Sequence, residues 1–241
     1  QPGGLGLPDR DYYFRDDERS KAQREAYRAH VATVFRLAGE EAAAAGRLAA
    51  VVMDLETELA RAQMTLVERR DPEKTYNLRT TAKLVEEAPG LDWKAYFSAI
   101  GAGDLGELNV TQPAAATALA RLAAARPAAD WRAYLRWHVL RAAATKLPRE
   151  FEEAHFDFYQ RTLTGVRRLS PRNERVIEAI AGPYGSEPLA HALGELFVGE
   201  AFPPEAKRRA LELVAHVKAA LRERLENLDW MEAETRKAAL E

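Results

Sequence analysis

Apolar side chains recur at helical spacing along almost the whole chain. Tyr27, Val31, Val34, Phe35 and Ala38 share one face of a helix that opens at Asp16-Asp17-Glu18, where the amide dipoles favour negative charge. Leu48, Val52, Leu55, Leu59, Ala62 and Leu66 follow with the 4-3-4-3-4 spacing of a helix laid along a neighbour. Gly46 is where the run can break between the two, and the pattern resumes directly after it. Arg69-Arg70 suit the negative end of the second helix, and Asp71-Pro72 stop it.

Shorter pieces come next. Thr80 caps a brief helix that ends before Pro89-Gly90, and Asp92 caps another carrying Trp93, Tyr96, Phe97 and Ile100. Gly101, Gly103 and Gly106 punctuate a loop, and Leu108-Asn109-Val110 is the best strand candidate. Long helices then return. Pro113 starts an alanine-rich helix ended by Pro127, and Asp130 caps the next, with Trp131, Leu135 and Val139 inward. Pro148 opens a helix with Phe151, His155, Phe158, Tyr159 and Leu163 on one side, closed by Gly165. Ser170-Pro171 begins a short helix that a turn over 182–188 ends, and Leu189, Leu193, Leu196 and Phe197 continue the spacing. After Phe202-Pro203-Pro204, a long helix carries Leu211, Val214, Val217, Leu221, Leu225 and Leu228. The expected class is all-α, with roughly ten helices and at most one short strand pair, arranged as a single helical lobe over 1–241. The alanine clusters share no period with the aromatic residues, which argues against a solenoid.

Composition narrows the partners. With 47% apolar and 30% charged residues over 241 positions, the chain has the balance of a folded domain. A net charge of −2 supplies no field to draw nucleic acid, even where tryptophan and arginine adjoin at Trp131-Arg132 and Arg136-Trp137. The longest apolar run, Leu48 to Met53, is far too short to span a bilayer. There is no cysteine, so disulfides and thiolate chemistry are excluded. The start at Gln1 lacks a methionine and a signal sequence and reads as a cut. Asp229 and Glu232 open a final helix with no stop before Glu241, so more chain is expected beyond it.

Two runs carry a resemblance. Gly4-Leu5-Gly6-Leu7-Pro8-Asp9-Arg10-Asp11-Tyr12-Tyr13 is a non-helical N-terminal loop (1–15) with two aromatic anchors, and Arg69-Arg70-Asp71-Pro72-Glu73-Lys74-Thr75-Tyr76-Asn77 follows two long helices. Both resemble signature segments of the neprilysin and endothelin-converting-enzyme family of zinc metallopeptidases. Phe197-Val198 with Phe202, and Trp230-Met231 with Thr235, resemble later landmarks of the same family. The residues that carry the likeness are Gly4, Gly6, Leu7, Pro8, Asp9, Asp11, Tyr12, Tyr13, Arg70, Asp71, Pro72, Tyr76, Asn77, Phe197, Val198, Phe202, Trp230, Met231 and Thr235. The stretch Arg167 to Arg175 departs from the family pattern; its four arginines read as a solvated surface rather than an anion site.

The resemblance implies a zinc-dependent endopeptidase that cleaves oligopeptides in a chamber, one lobe holding the metal and a helical lobe covering it. The absence of cysteine points to a bacterial relative, and the family implies a periplasmic or secreted location. Such a zinc site needs His-Glu-x-x-His, and none of the histidines at 30, 138, 155, 191 and 216 is followed by glutamate. This chain is therefore expected to be the non-catalytic covering lobe, with the helices over 204–241 leading to a catalytic lobe of the same polypeptide. It is expected to hold no metal ligand, no catalytic residue and no cofactor, zinc belonging to the full-length protein.

Two other classes fit the residues. A stand-alone helical interaction module explains the all-α pattern without truncation. A metalloenzyme built on Glu152-x-x-His155 needs a second copy of that spacing, which the sequence lacks, so His155 is expected to be a hydrogen-bonded histidine at the core edge.

Overall fold

The computed structural model describes residues 3–103, 105–182 and 189–240. Among them are twelve α-helices and one two-stranded antiparallel sheet, so the class is all-α. Backbone proximity divides the chain into two compact units, Gln1–Leu169 and Ser170–Glu241.

In the first unit, α1 (Glu18–Leu37) packs along α2 (Ala42–Ala62), and Asp17 caps α1 through the Ser20 amide. The break between them falls at Gly39 rather than Gly46, which lies inside α2. Gly39 adopts φ +94°, and the Glu40 amide reaches back to the Phe35 carbonyl at 3.0 Å, a closure that favours a residue without a β-carbon. α2 ends at Ala62, short of Leu66. There the Gln63 side chain donates to the Gly3 carbonyl and the Met64 amide to Gln112, so tertiary bonds replace helical ones and Leu66 is left exposed. Thr65 and Glu68 cap each other's amide and hydroxyl groups around the next turn, Glu68–Arg70.

A short helix α3 (Pro72–Thr75) leads into β1 (Leu78–Thr80), which pairs with β2 (Glu107–Asn109) in the register Leu78–Asn109. The strand falls one residue before the expected 108–110. Between the strands lie α4 (Thr81–Glu87) and α5 (Trp93–Ala99), capped by Thr80 and Asp92 as their sequences require. Then come α6 (Pro113–Ala125), α7 (Ala128–Ala143) and α8 (Arg149–His155), the last running into a π-helical segment, Phe156–Thr162.

The expected inward face of α7 is corrected. Leu135 and Val139 are exposed, while Ala133, Tyr134 and Trp137 are buried, Trp137 against the alanine-lined face of α2 at Ala45, Ala49 and Val52 and Tyr134 beside Leu55 and Leu59 of the same helix. Small residues on α2 admit the indole, which removes more apolar area from water than a leucine would. Nor is Asp130 the cap: Pro127 precedes the helix, and Asp130 pairs with Arg126 at 3.4 Å.

The second unit contains α9 (Arg172–Ala181) packed on α10 (Ala190–Ala201), and α11 (Pro204–Glu226) packed on α12 (Ala233–Leu240). The turn expected at 182–188 lies, beyond Gly182, outside the described residues. Leu211, Val214, Val217 and Leu221 leave an exposed apolar stripe on α11.

Candidate functional site

The first signature run is organised by a side chain outside it. Glu56 stands on α2 between Val52 and Leu59 at helical spacing, so it points inward and is fully buried. Tyr13, from the short turn Arg10–Tyr13, donates its hydroxyl to Glu56 Oε2 at 2.8 Å. The Tyr27 hydroxyl on α1 lies 2.9 and 2.8 Å from the two carboxylate oxygens and accepts from Trp137 Nε1 at 2.9 Å. His138 Nε2 on α7 stands 3.1 Å from Oε1, within ion-pair reach but off the hydrogen-bonding angle.

Further bonds fasten the loop itself. The Leu7 amide donates to Tyr13 Oη at 3.1 Å, Tyr134 Oη to the Gly4 carbonyl at 2.8 Å, and Tyr159 Oη to the Gly6 carbonyl at 2.9 Å. Gly4 and Gly6 are required by space as well as by path. A β-carbon on Gly6 would lie 1.7 Å from Tyr27 Oη, and one on Gly4, at φ +85°, would lie 2.3 Å from Tyr134 Oη.

Burial raises the Tyr13 and Tyr27 hydroxyls well above the ordinary phenol range, and the Glu56 carboxylate raises them further. Both therefore stay protonated and donate. Tyr159 is pushed up to about 12 by burial, against the lowering effect of Arg141. His30 stacks on Phe158 with ring centroids 5.1 Å apart, and burial brings it down to about 3, with His155 and Arg141 adding to the fall. The histidine is neutral at any ordinary pH. This arrangement positions a loop; it offers no activated nucleophile.

The other signature residues are placed apart from this centre. Leu7 is in the core, Asp9 caps the Asp11 amide at 2.8 Å, the Asp11 carboxylate pairs with Arg15 at 3.7 Å, Tyr12 packs on the core edge, and Pro8 is exposed. In the second run Asp71 caps α3 through the Glu73 and Lys74 amides, with Pro72 at the first helical position. Asn77 ties that turn to β2, its amide donating to Asn109 Oδ1 at 2.7 Å and its side chain to the Lys74 carbonyl at 2.8 Å. Arg70 and Tyr76 are exposed. In the second unit Phe197, Val198, Phe202, Trp230 and Thr235 are exposed, and the Met231 carbonyl accepts from Arg236 at 2.9 Å.

No group of three or more His, Cys, Asp or Glu side chains among the described residues is arranged to hold a metal ion, so a zinc site does not fit these residues. His155 packs its ring 4.6 Å from that of Tyr159, and its buried Nδ1 makes no hydrogen bond, which corrects the expectation of a hydrogen-bonded histidine. Arg167, Arg168 and Arg172 are exposed, and Arg175 donates to the Ser170 carbonyl. No described helix is long and apolar enough to cross a membrane.

The described residues thus form a largely helical scaffold whose N-terminal loop is anchored on a buried carboxylate. A model of peptidase family M13 matches residues 1–241, and the chain belongs to that family. It is 28% identical to human endothelin-converting enzyme 1 over 246 residues, covering 99% of this chain and 31% of that protein. It is 37% identical to the Mycobacterium tuberculosis zinc metalloprotease Zmp1 in an inhibitor complex, with a TM-score of 0.80 over 100% of this chain and 36% of that one. PepO from Lactobacillus rhamnosis shares the fold at a TM-score of 0.79 and 19% identity, over 99% of this chain and 37% of its own. The chain thus spans about a third of the length of the relatives it matches.

Proposed function

We propose that this chain is the covering lobe, with connecting helices, of a neprilysin-like zinc metalloendopeptidase that hydrolyses oligopeptides, and that it is itself non-catalytic. The observation that carries this reading is the likeness to Zmp1 across all of this chain but only 36% of that protein. With no His-Glu-x-x-His in the sequence, the zinc and its general base belong to a catalytic lobe elsewhere in the same polypeptide. The contribution of these helices is steric: they shape which peptides reach the metal. The higher identity to a mycobacterial enzyme than to the human one supports a bacterial origin, and the family supports an extracytoplasmic location.

The test compares the full-length gene product with the 241-residue chain on an internally quenched oligopeptide, with and without chelator. The full-length protein is expected to cleave it and to stop when chelated. The short chain is expected to be inactive and to carry no stoichiometric zinc by plasma mass spectrometry. Peptide cleavage or bound zinc in the short chain overturns the assignment.

A further inference from the structure

A cavity of about 480 Å³ lies within the first unit, in the size range of small-ligand sites. It occupies the seam between two core clusters, one built on Leu55, Leu59, Leu122 and Tyr134, the other on Leu84, Ala88, Phe97 and Ala120. Ala115 and Ala116 on α6 face it, and their small side chains leave the volume unfilled. The far wall is fixed, because Gly90 lies so close to α6 that a β-carbon there would be 1.9 Å from the Ala120 carbonyl oxygen.

The lining states the chemistry it accepts. No lysine, arginine, histidine, aspartate or glutamate borders the cavity, in a chain where 30% of residues are charged. Its amide and phenol side chains each bond to the protein, and the Thr111 hydroxyl is left available to a guest. Gln112 Oε1 accepts from the Met64 amide, Asn109 Oδ1 from the Asn77 amide, Tyr134 Oη donates to Gly4, and Gln63 Nε2 donates to Gly3. The rest of the lining is mainly an apolar wall of Leu84, Trp93, Phe97, Leu108, Val110 and Leu119. Water occupying such a space would find few partners, since each molecule takes about 30 Å³ and wants about three hydrogen bonds. Poorly hydrated apolar cavities are filled favourably by apolar groups.

We infer that this cavity is a binding site for a neutral aromatic or branched aliphatic group, supplied either by a free small molecule or by the side chain of a peptide. The inference stands on the first unit alone and does not depend on the peptidase reading. Gly3 and Gly4 form part of the lining, so the N-terminal loop is one wall of the site.

Binding is measured on the 241-residue chain with N-phenyl-1-naphthylamine, a neutral dye that brightens in apolar surroundings, and with the capped peptide acetyl-Gly-Phe-Gly-amide as competitor. Saturable binding is expected, with methyl resonances of Leu84, Leu108 and Val110 shifting on titration. Ala115→Trp fills the cavity and should weaken dye binding by about tenfold or more. Ala114→Trp, one residue away on the exposed side of α6, should leave it unchanged. Displacement by the peptide assigns the site to a side chain; dye binding without displacement assigns it to a free molecule. Absence of saturable binding, binding that leaves those three methyls unmoved, or equal affinity in a folded Ala115→Trp protein overturns the inference. The methyl shifts in the unaltered chain decide the matter should that variant fold poorly.

Discussion

The Tyr27 hydroxyl lies within 2.9 Å of both carboxylate oxygens of Glu56, and the pair is buried where α1 and α2 meet. Tyr13 of the N-terminal loop bonds the same carboxylate, and Tyr134 and Tyr159 hold the Gly4 and Gly6 carbonyls alongside it.

Replacing Glu56 with alanine strands the Tyr13 and Tyr27 hydroxyls in a dry interior. Each orphaned buried donor costs about 1–3 kcal/mol, so a loss of roughly 3–5 kcal/mol is expected. Glu56→Gln keeps an acceptor and should lose about 1–2 kcal/mol. Urea unfolding followed by tryptophan fluorescence reads both, because Trp137 donates to Tyr27 within the same cluster. Equal stability of Glu56→Ala and the parent chain refutes the account.

Gly6→Ala places a methyl group where Tyr27 Oη stands, 1.7 Å from the ideal position, so the tyrosine must leave Glu56. A loss of about 2 kcal/mol or more is expected. Tyr27→Phe removes the same bond by another route, and the double variant should lose less than the two single losses added together. Strict additivity, measured in a double-mutant cycle, would show that the glycine and the hydroxyl act separately.

Stability should fall in acid through His30. Its folded pKa of about 3 lies below the ordinary 6.5, so the unfolded chain takes up the proton first. The contribution is complete above pH 6.5 and is lost progressively as pH drops toward 3, by up to about 4 kcal/mol. Tyr159 acts at the other end: raised to about 12, it favours the fold fully below pH 10 and withdraws that support as pH rises from 10 to 12. Denaturation midpoints across pH 3–8 should slope upward in the parent and flatten in His30→Phe.

Asp71→Ala removes the acceptor for two amides at the start of α3. About 1 kcal/mol is expected, confined to that turn. Amide exchange at Glu73 and Lys74 should quicken while Val31 and Val34 in α1 keep their protection; a uniform change would mean that the cap serves the whole unit.

The sequence made most helix boundaries legible because their caps are local chemistry: Asp17, Thr80, Asp92 and Pro113 each stand where a side chain or a fixed φ satisfies a helix start. The inward face of α7 was not legible, since Leu135 and Val139 lie on one possible stripe and Tyr134 and Trp137 on another. Only the alanines of α2 decide between them. Thr65 and Glu68 form a local cap that spacing alone could have revealed, and it foretells a new turn past Ala62. Glu56 left a fainter trace, a charge at an inward position between Val52 and Leu59. Its partners come from Tyr13, Tyr27 and His138, so no window of neighbouring residues contains the site. The π-helical segment over Phe156–Thr162 has no periodic signal of its own.

The tyrosines that clasp Gly4 and Gly6 lie 130 and 153 positions further along the chain. During synthesis the loop carrying Gly4 and Gly6 must therefore wait until the helices bearing Tyr134 and Tyr159 have emerged. That loop is among the last parts of this unit to settle, so premature termination before residue 159 leaves its Gly6 carbonyl without the Tyr159 clasp.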